Sequence, residues 1–117
     1  MSNYVEPTDQ LSTAAKDFVR ALHSLKEEVE AVTWYHQRID ASDDAALKQI
    51  LKHNRDEEIE HACMVLEWLR RNMPGWDEEL RDNLFTEGPI SHSDEENEHH
   101  ESSDQARDSL KLGSLKK

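Results

Sequence analysis

Cysteine occurs once in the 117-residue chain, at Cys63, so no disulfide can close within it. No apolar run approaches the ~20 residues of a membrane-spanning helix. The N-terminus also lacks the basic-then-apolar layout of a secretory signal. Positive charge is scarce: 14 Lys and Arg against 26 Asp and Glu leave a net charge of −12. That balance argues against nucleic acid and anionic membrane surfaces as partners and favours cations, metal ions included. Apolar residues are few as well, 35% against 34% charged. A chain of this length is expected to form one domain. Its lean core makes association with further copies a natural way to complete the fold. Together these traits indicate a soluble cytoplasmic protein.

What is present is mostly helix-forming. Glycine and proline are absent from Leu11 to Ile39. Pro7 with Thr8 is a plausible helix start, since proline suits the first turn and threonine can cap it. Asp40 to Asp44 reads as a tight connection, with Ser42 or Asp43 capping a second helix from about Asp44 to Asn72. Met73-Pro74-Gly75 ends that helix. A short third helix is expected from Trp76 to Thr86, ended by Gly88-Pro89. The fold class is therefore all-α: a two-helix antiparallel hairpin plus a short third helix, in a helical domain of residues 1–90.

The composition then changes. Ser91 to Gln105 holds six acids, three histidines and no Lys or Arg, which predicts a disordered acidic linker over residues 91–109. His92, His99 and His100 read as part of a solvated tether. Leu110, Leu112 and Leu115, with basic neighbours, read as a docking peptide over residues 110–117.

Helices meet through positions three and four apart. In helix 2 such a stripe reads Leu47, Leu51, Asn54, Glu58, His61, Val65, Trp68. Its ends are apolar and its middle is polar. The adjoining stripe Ile59, Ala62, Leu66, Leu69 is apolar throughout and supplies an ordinary packing face, with Cys63 expected to be buried beside it. In helix 1 the stripe is Phe18, Ala21, Leu25, Glu28, Val32, Tyr35, Ile39, with one carboxylate at its centre. Glu28, Glu58 and His61 should thus meet between the helices at one level. An unpaired buried carboxylate costs several kcal/mol, so a counter-charge is required. A protonated His61, an Arg or Lys from a neighbouring helix, and a metal cation are the three candidates.

The ligand arithmetic favours metal. A ferritin-like di-iron site takes one Glu from each of two helices and Glu-x-x-His from each of two others. This chain offers Glu28 on one helix and Glu58-x-x-His61 on the other, half of the set. Two copies would complete a four-helix bundle with a site across the two-fold axis. Oxygen-rich ligation with one imidazole per metal suits iron or manganese, and carboxylates favour Fe(III) over Fe(II). Tyr35 lies two turns from Glu28 on the same face, as a core aromatic or as a neighbour of the metals. Glu27 and Glu30 share a different face and are an ordinary solvated pair unless symmetry brings copies together. All-oxygen ligation there would suit calcium or another hard divalent cation.

Three stretches resemble the encapsulated ferritins, two-helix ferritin-like proteins packaged in encapsulin nanocompartments: EEVEAVTWYHQRIDAS (Glu27 to Ser42), HNRDEEIEHACMVLEWLRRN (His53 to Asn72) and LFTEGPI (Leu84 to Ile90). The resemblance implies ferroxidase activity at a di-iron site between two subunits, with Glu28, Glu58 and His61 as ligands and Tyr35 nearby. It implies a second acidic metal site, from Glu27 and Glu30, on the approach to that centre, with Trp34 beside it. It further implies a ring of ten subunits with no storage cavity of its own, the encapsulin shell holding the mineral in the bacterial cytoplasm. The terminal LKLGSLKK, Leu110 to Lys117, resembles the encapsulin-targeting peptide of such cargo. Lys111 replaces a more usual small or polar residue, and Lys116-Lys117 a common arginine pair. Two other classes fit the residues: a structural adaptor of the shell, and a di-metal-binding module without turnover.

Overall fold

The computed structural model describes residues 3–91. The acidic linker and docking peptide expected from the sequence lie outside the described residues. Three α-helices and no strand occur among those described: α1, Thr13–Ala41; α2, Ala45–Asn72; and α3, Trp76–Asn83. No described helix is long and apolar enough to cross a membrane.

The first helix starts later than expected. Pro7 begins a 3-10 turn, Thr8–Gln10, closed by Gln10 N–H donating to the Pro7 carbonyl at 3.0 Å. Leu11 is extended, and the cap of α1 is Ser12, whose hydroxyl accepts from Ala15 N–H at 3.0 Å. Thr8 therefore caps no α-helix. The connection to α2 is three residues long. Neither Ser42 nor Asp43 caps α2: the Asp44 carboxylate does, accepting from Leu47 N–H at 2.8 Å. Ser42 instead accepts from Asp44 N–H at 3.1 Å and so stiffens the turn that presents the cap. Asp44 is the residue directly before the first helical one, and its extended backbone turns the carboxylate onto the third N–H of the first turn.

α2 ends as its sequence dictates. Met73 N–H closes on the Leu69 carbonyl, Pro74 has no N–H to continue the ladder, and Gly75 takes φ +102°, a conformation that side chains resist. α3 stops at Asn83 and not at Thr86. Its last N–H bond is Leu84 to the Leu80 carbonyl, and Phe85 then turns to φ +58°, outside the right-handed helical region.

The chain divides into two compact units after Trp76. The first is the α1–α2 hairpin, in which the two helices pack along each other. Pairs across the interface run in opposite directions: Phe18 meets Trp68 edge to face at 6.2 Å, Glu28 approaches His61, and His36 approaches Arg55. The hairpin is therefore antiparallel. In the second unit α3 carries Asp77, Glu78 and Glu79 in its first turn and Arg81 in its last, the order its dipole favours.

Two helices alone cover little. Ile39 and Leu69 are the buried apolar side chains of the described residues, at 7% and 0% exposure. Ile59, expected in the packing face, is exposed, as are Val29, Trp34, Ile50 and Met64. Cys63 is exposed too, contrary to expectation. Each helix has one neighbour, so positions even a quarter-turn away from the seam face outward. Apolar stripes wider than the seam are left open.

Candidate metal centre

α1 carries Glu28 four residues after Ser24 and four before Val32, at a level where α2 presents Glu58. One turn later α2 presents His61, on the same face. The antiparallel register set by Phe18 and Trp68 brings all three together. His61 Nδ1 lies 3.4 Å from a Glu58 carboxylate oxygen and 3.7 Å from one of Glu28. One ligand atom from each residue falls within 4.8 Å of the others, and this is the one such cluster of three or more His, Cys, Asp or Glu among the described residues. The carboxylates are half-buried, at 24% exposure each, and His61 is 47% exposed. The trio thus sits at the open edge of the hairpin and not in its interior.

The electrostatics are those of like charges pressed together. The Glu28 carboxyl is held above its ordinary range, first by its hydrogen bond with the Glu58 carboxyl, then by burial and by the Glu58 charge. His61 opposes this and Glu27 adds to it. Two carboxyl groups this close are short of positive charge. Of the three counter-charges open from the sequence, no Lys or Arg of the described residues is paired with Glu28 or Glu58. Among the described residues the ion pairs of Glu28 and Glu58 run to His61.

The donor set fits a divalent transition metal. Ligand atoms bound at about 2.1 Å lie at most ~4.2 Å apart, so three donors already within 4.8 Å need only small side-chain rotations to close on an ion. Two oxygens and one imidazole nitrogen suit iron or manganese, and a cation would supply the positive charge the carboxyl pair lacks. Three protein ligands leave coordination positions open, for solvent or for donors of another copy.

The remaining residues singled out in the sequence fall elsewhere. Tyr35 is half-buried on α1, and the Arg38 guanidinium lies 5.6 Å from its ring centre. Glu27 is exposed and bound to His23, one turn earlier on α1, at 3.1 Å. Glu30 and Trp34 are exposed. Within one chain Glu27 and Glu30 do not join the Glu28 cluster. Sequence reasoning overlooked one contact beside the centre. Arg55, one turn before Glu58, reaches across to His36 of α1, Nη1 to Nδ1 at 3.5 Å. No stripe pattern announces that pair, since it depends on the register of the two helices.

An all-helical hairpin with a convergent Glu, Glu and His carries the residue types of half a ferritin-like di-metal ligand set. Comparison with known proteins agrees and is more specific. The chain belongs to the EncFtn-like family, whose signature matches residues 3–87. It is 62% identical over 93 residues to a ferritin-like protein of Thermotoga maritima, covering 80% of this chain and 82% of that one. It is 58% identical over 86 residues to an encapsulated ferritin-like protein of Rhodospirillum rubrum, covering 74% of this chain and 61% of that one. The crystal structure of protein ne0167 from Nitrosomonas europaea is similar with a TM-score of 0.74 at 56% identity, covering 78% of this chain and all of the other. The ferritin-like fold expected from the sequence is thus the observed one.

Proposed function

We propose that this protein is a ferroxidase, oxidising Fe(II) to Fe(III) with oxygen at a di-iron site shared between two subunits, and that it supplies iron for storage in an encapsulin compartment. The observation that carries this reading is the convergence of Glu28, Glu58 and His61 with no Arg or Lys among them. That trio is half of a di-iron ligand set. The names of the relatives, ferritin-like and encapsulated ferritin-like, point the same way.

Iron is the substrate here. Glu28 and Glu58 bind the ion as carboxylates, and their negative charge favours the product Fe(III) over Fe(II). His61 supplies the neutral donor and fixes one side of each ion. Tyr35 stands on the same α1 face and is assigned to the surroundings of the iron pair. Glu27 and Glu30, with Trp34 beside them, are assigned to a second acidic site on the approach to the centre. Copies brought together by symmetry would form it, and calcium or another hard divalent cation would fill it. The exposed apolar residues of α1 and α2 support assembly into dimers and, by resemblance, a ring of ten. The segment from Leu110 to Lys117 is assigned as the peptide that docks in the shell.

Addition of Fe(II) to aerobic protein, followed by near-ultraviolet absorbance and oxygen consumption, tests the reading. Progress faster than the protein-free control, with oxygen consumed, supports it. Metal bound without oxygen uptake would make the protein a di-metal-binding module instead, and no bound metal would leave a structural cargo.

A further inference from the structure

Arg55 is the cation best placed to spoil the centre. It precedes Glu58 by three residues on α2, a spacing at which helical side chains meet. A guanidinium is charged at every accessible pH. Paired with Glu58 it would supply the counter-charge that a metal otherwise brings. Elsewhere this chain makes such pairs: Arg20 binds Asp17 at 2.7 Å and Arg70 binds Glu67 at 2.8 Å, both three apart. In those pairs the acid comes first. Arg55 precedes its acid, the weaker order on a helix, so a modest competitor suffices to divert it.

The competitors are on the page. Arg55 Nη1 is 3.5 Å from His36 Nδ1 across the helix interface, and Arg55 Nε donates to Asp56 Oδ1 at 3.2 Å. The side chain is only 25% exposed, so this orientation is held between the helices. Arg can only donate, so in this contact His36 Nδ1 is the accepting atom. We propose that His36, assisted by Asp56, is a positioning residue that holds Arg55 off the Glu28–Glu58–His61 cluster and leaves both carboxylates to a divalent cation. The inference rests on the metal-binding reading given above.

Mn(II) binding to the full-length chain, measured by titration with electron paramagnetic resonance of the free ion, tests it without any turnover. His36→Ala frees Arg55 to pair with Glu58 and should weaken binding roughly 2- to 5-fold, the size of one partly exposed ion pair. His36→Gln keeps an acceptor for the guanidinium and should bind as wild type does. Arg55→Ala should bind as wild type or tighter, and the double variant His36→Ala with Arg55→Ala should recover wild-type affinity. A His36→Ala chain of unchanged affinity overturns the proposal. So does a double variant as weak as His36→Ala, or an Arg55→Ala chain that binds less well. Wild type that takes up no Mn(II) overturns the metal reading itself, an outcome distinct from these.

Discussion

Glu28, Glu58 and His61 each look out of place in their own helix and make sense only together. A carboxylate in an apolar stripe is anomalous until the partner helix shows a second carboxylate and an imidazole at the same level. That coincidence was legible in the sequence because helical spacing alone fixes it. Replacing any of the three by Ala should slow Fe(II) oxidation at least about tenfold. In Glu28→Ala and Glu58→Ala the fold should remain intact, since each removes one of two crowded carboxyl groups from the metal-free chain. Wild-type rates in all three variants, read from the absorbance progress curves, would refute the assignment. What the sequence did not reveal are contacts that depend on how the helices cross, above all His36 with Arg55. Arg38 beneath Tyr35 is a local contact that the stripe pattern does not single out.

A different residue governs acid sensitivity. Glu67 accepts from both Arg70 and Arg71, and these hydrogen bonds hold its carboxyl down at about 2. Its folded-state value lies below its ordinary 4.5. The stability it contributes is therefore complete above that ordinary value and is lost as pH falls toward about 2. Thermal melts of wild type and Glu67→Gln should converge over that acidic window and differ above it, with the difference shrinking in high salt because the pair is exposed. Curves that stay parallel across the window would contradict this.

Among the elements, helix existence and the α1–α2 turn were readable, and the caps were not. Thr8, Ser12, Ser42, Asp43 and Asp44 are all acceptable caps by residue type. The choice is made by which residue the backbone leaves extended directly before the first helical one, Ser12 for α1 and Asp44 for α2. Ser12→Ala and Asp44→Ala should each destabilise the hairpin by about 1 kcal/mol. Thr8→Ala and Asp43→Ala should fall within about 0.5 kcal/mol of wild type. Denaturant midpoints will separate the two sets, and equal losses at all four would show that the caps are misassigned. The early stop of α3 was hidden because nothing in the identity of Phe85 requires a positive φ.

For the whole molecule, the decisive facts are how little the hairpin buries and how much of its apolar surface stays open. Val29, Trp34, Ile50, Ile59 and Met64 are at least 44% exposed. Under the proposed function, copies of the chain would cover that surface, and metal binding only the assembled form would favour assembly further. The proposed function gives the C-terminal Leu110 to Lys117 a separate task, docking in the shell. Deleting Leu110 to Lys117 should abolish co-purification with co-expressed encapsulin and leave Fe(II) oxidation unchanged. Packaging of the truncated chain at wild-type levels would show that the address lies elsewhere.

The central claim is that one chain holds half a site. Size-exclusion fractions of the same preparation, assayed separately for Fe(II) oxidation per chain, test it most directly. The account predicts activity confined to dimers and larger assemblies, with the monomer fraction no faster than iron in buffer. A monomer fraction that oxidises Fe(II) as fast per chain as the assembled protein would contradict it.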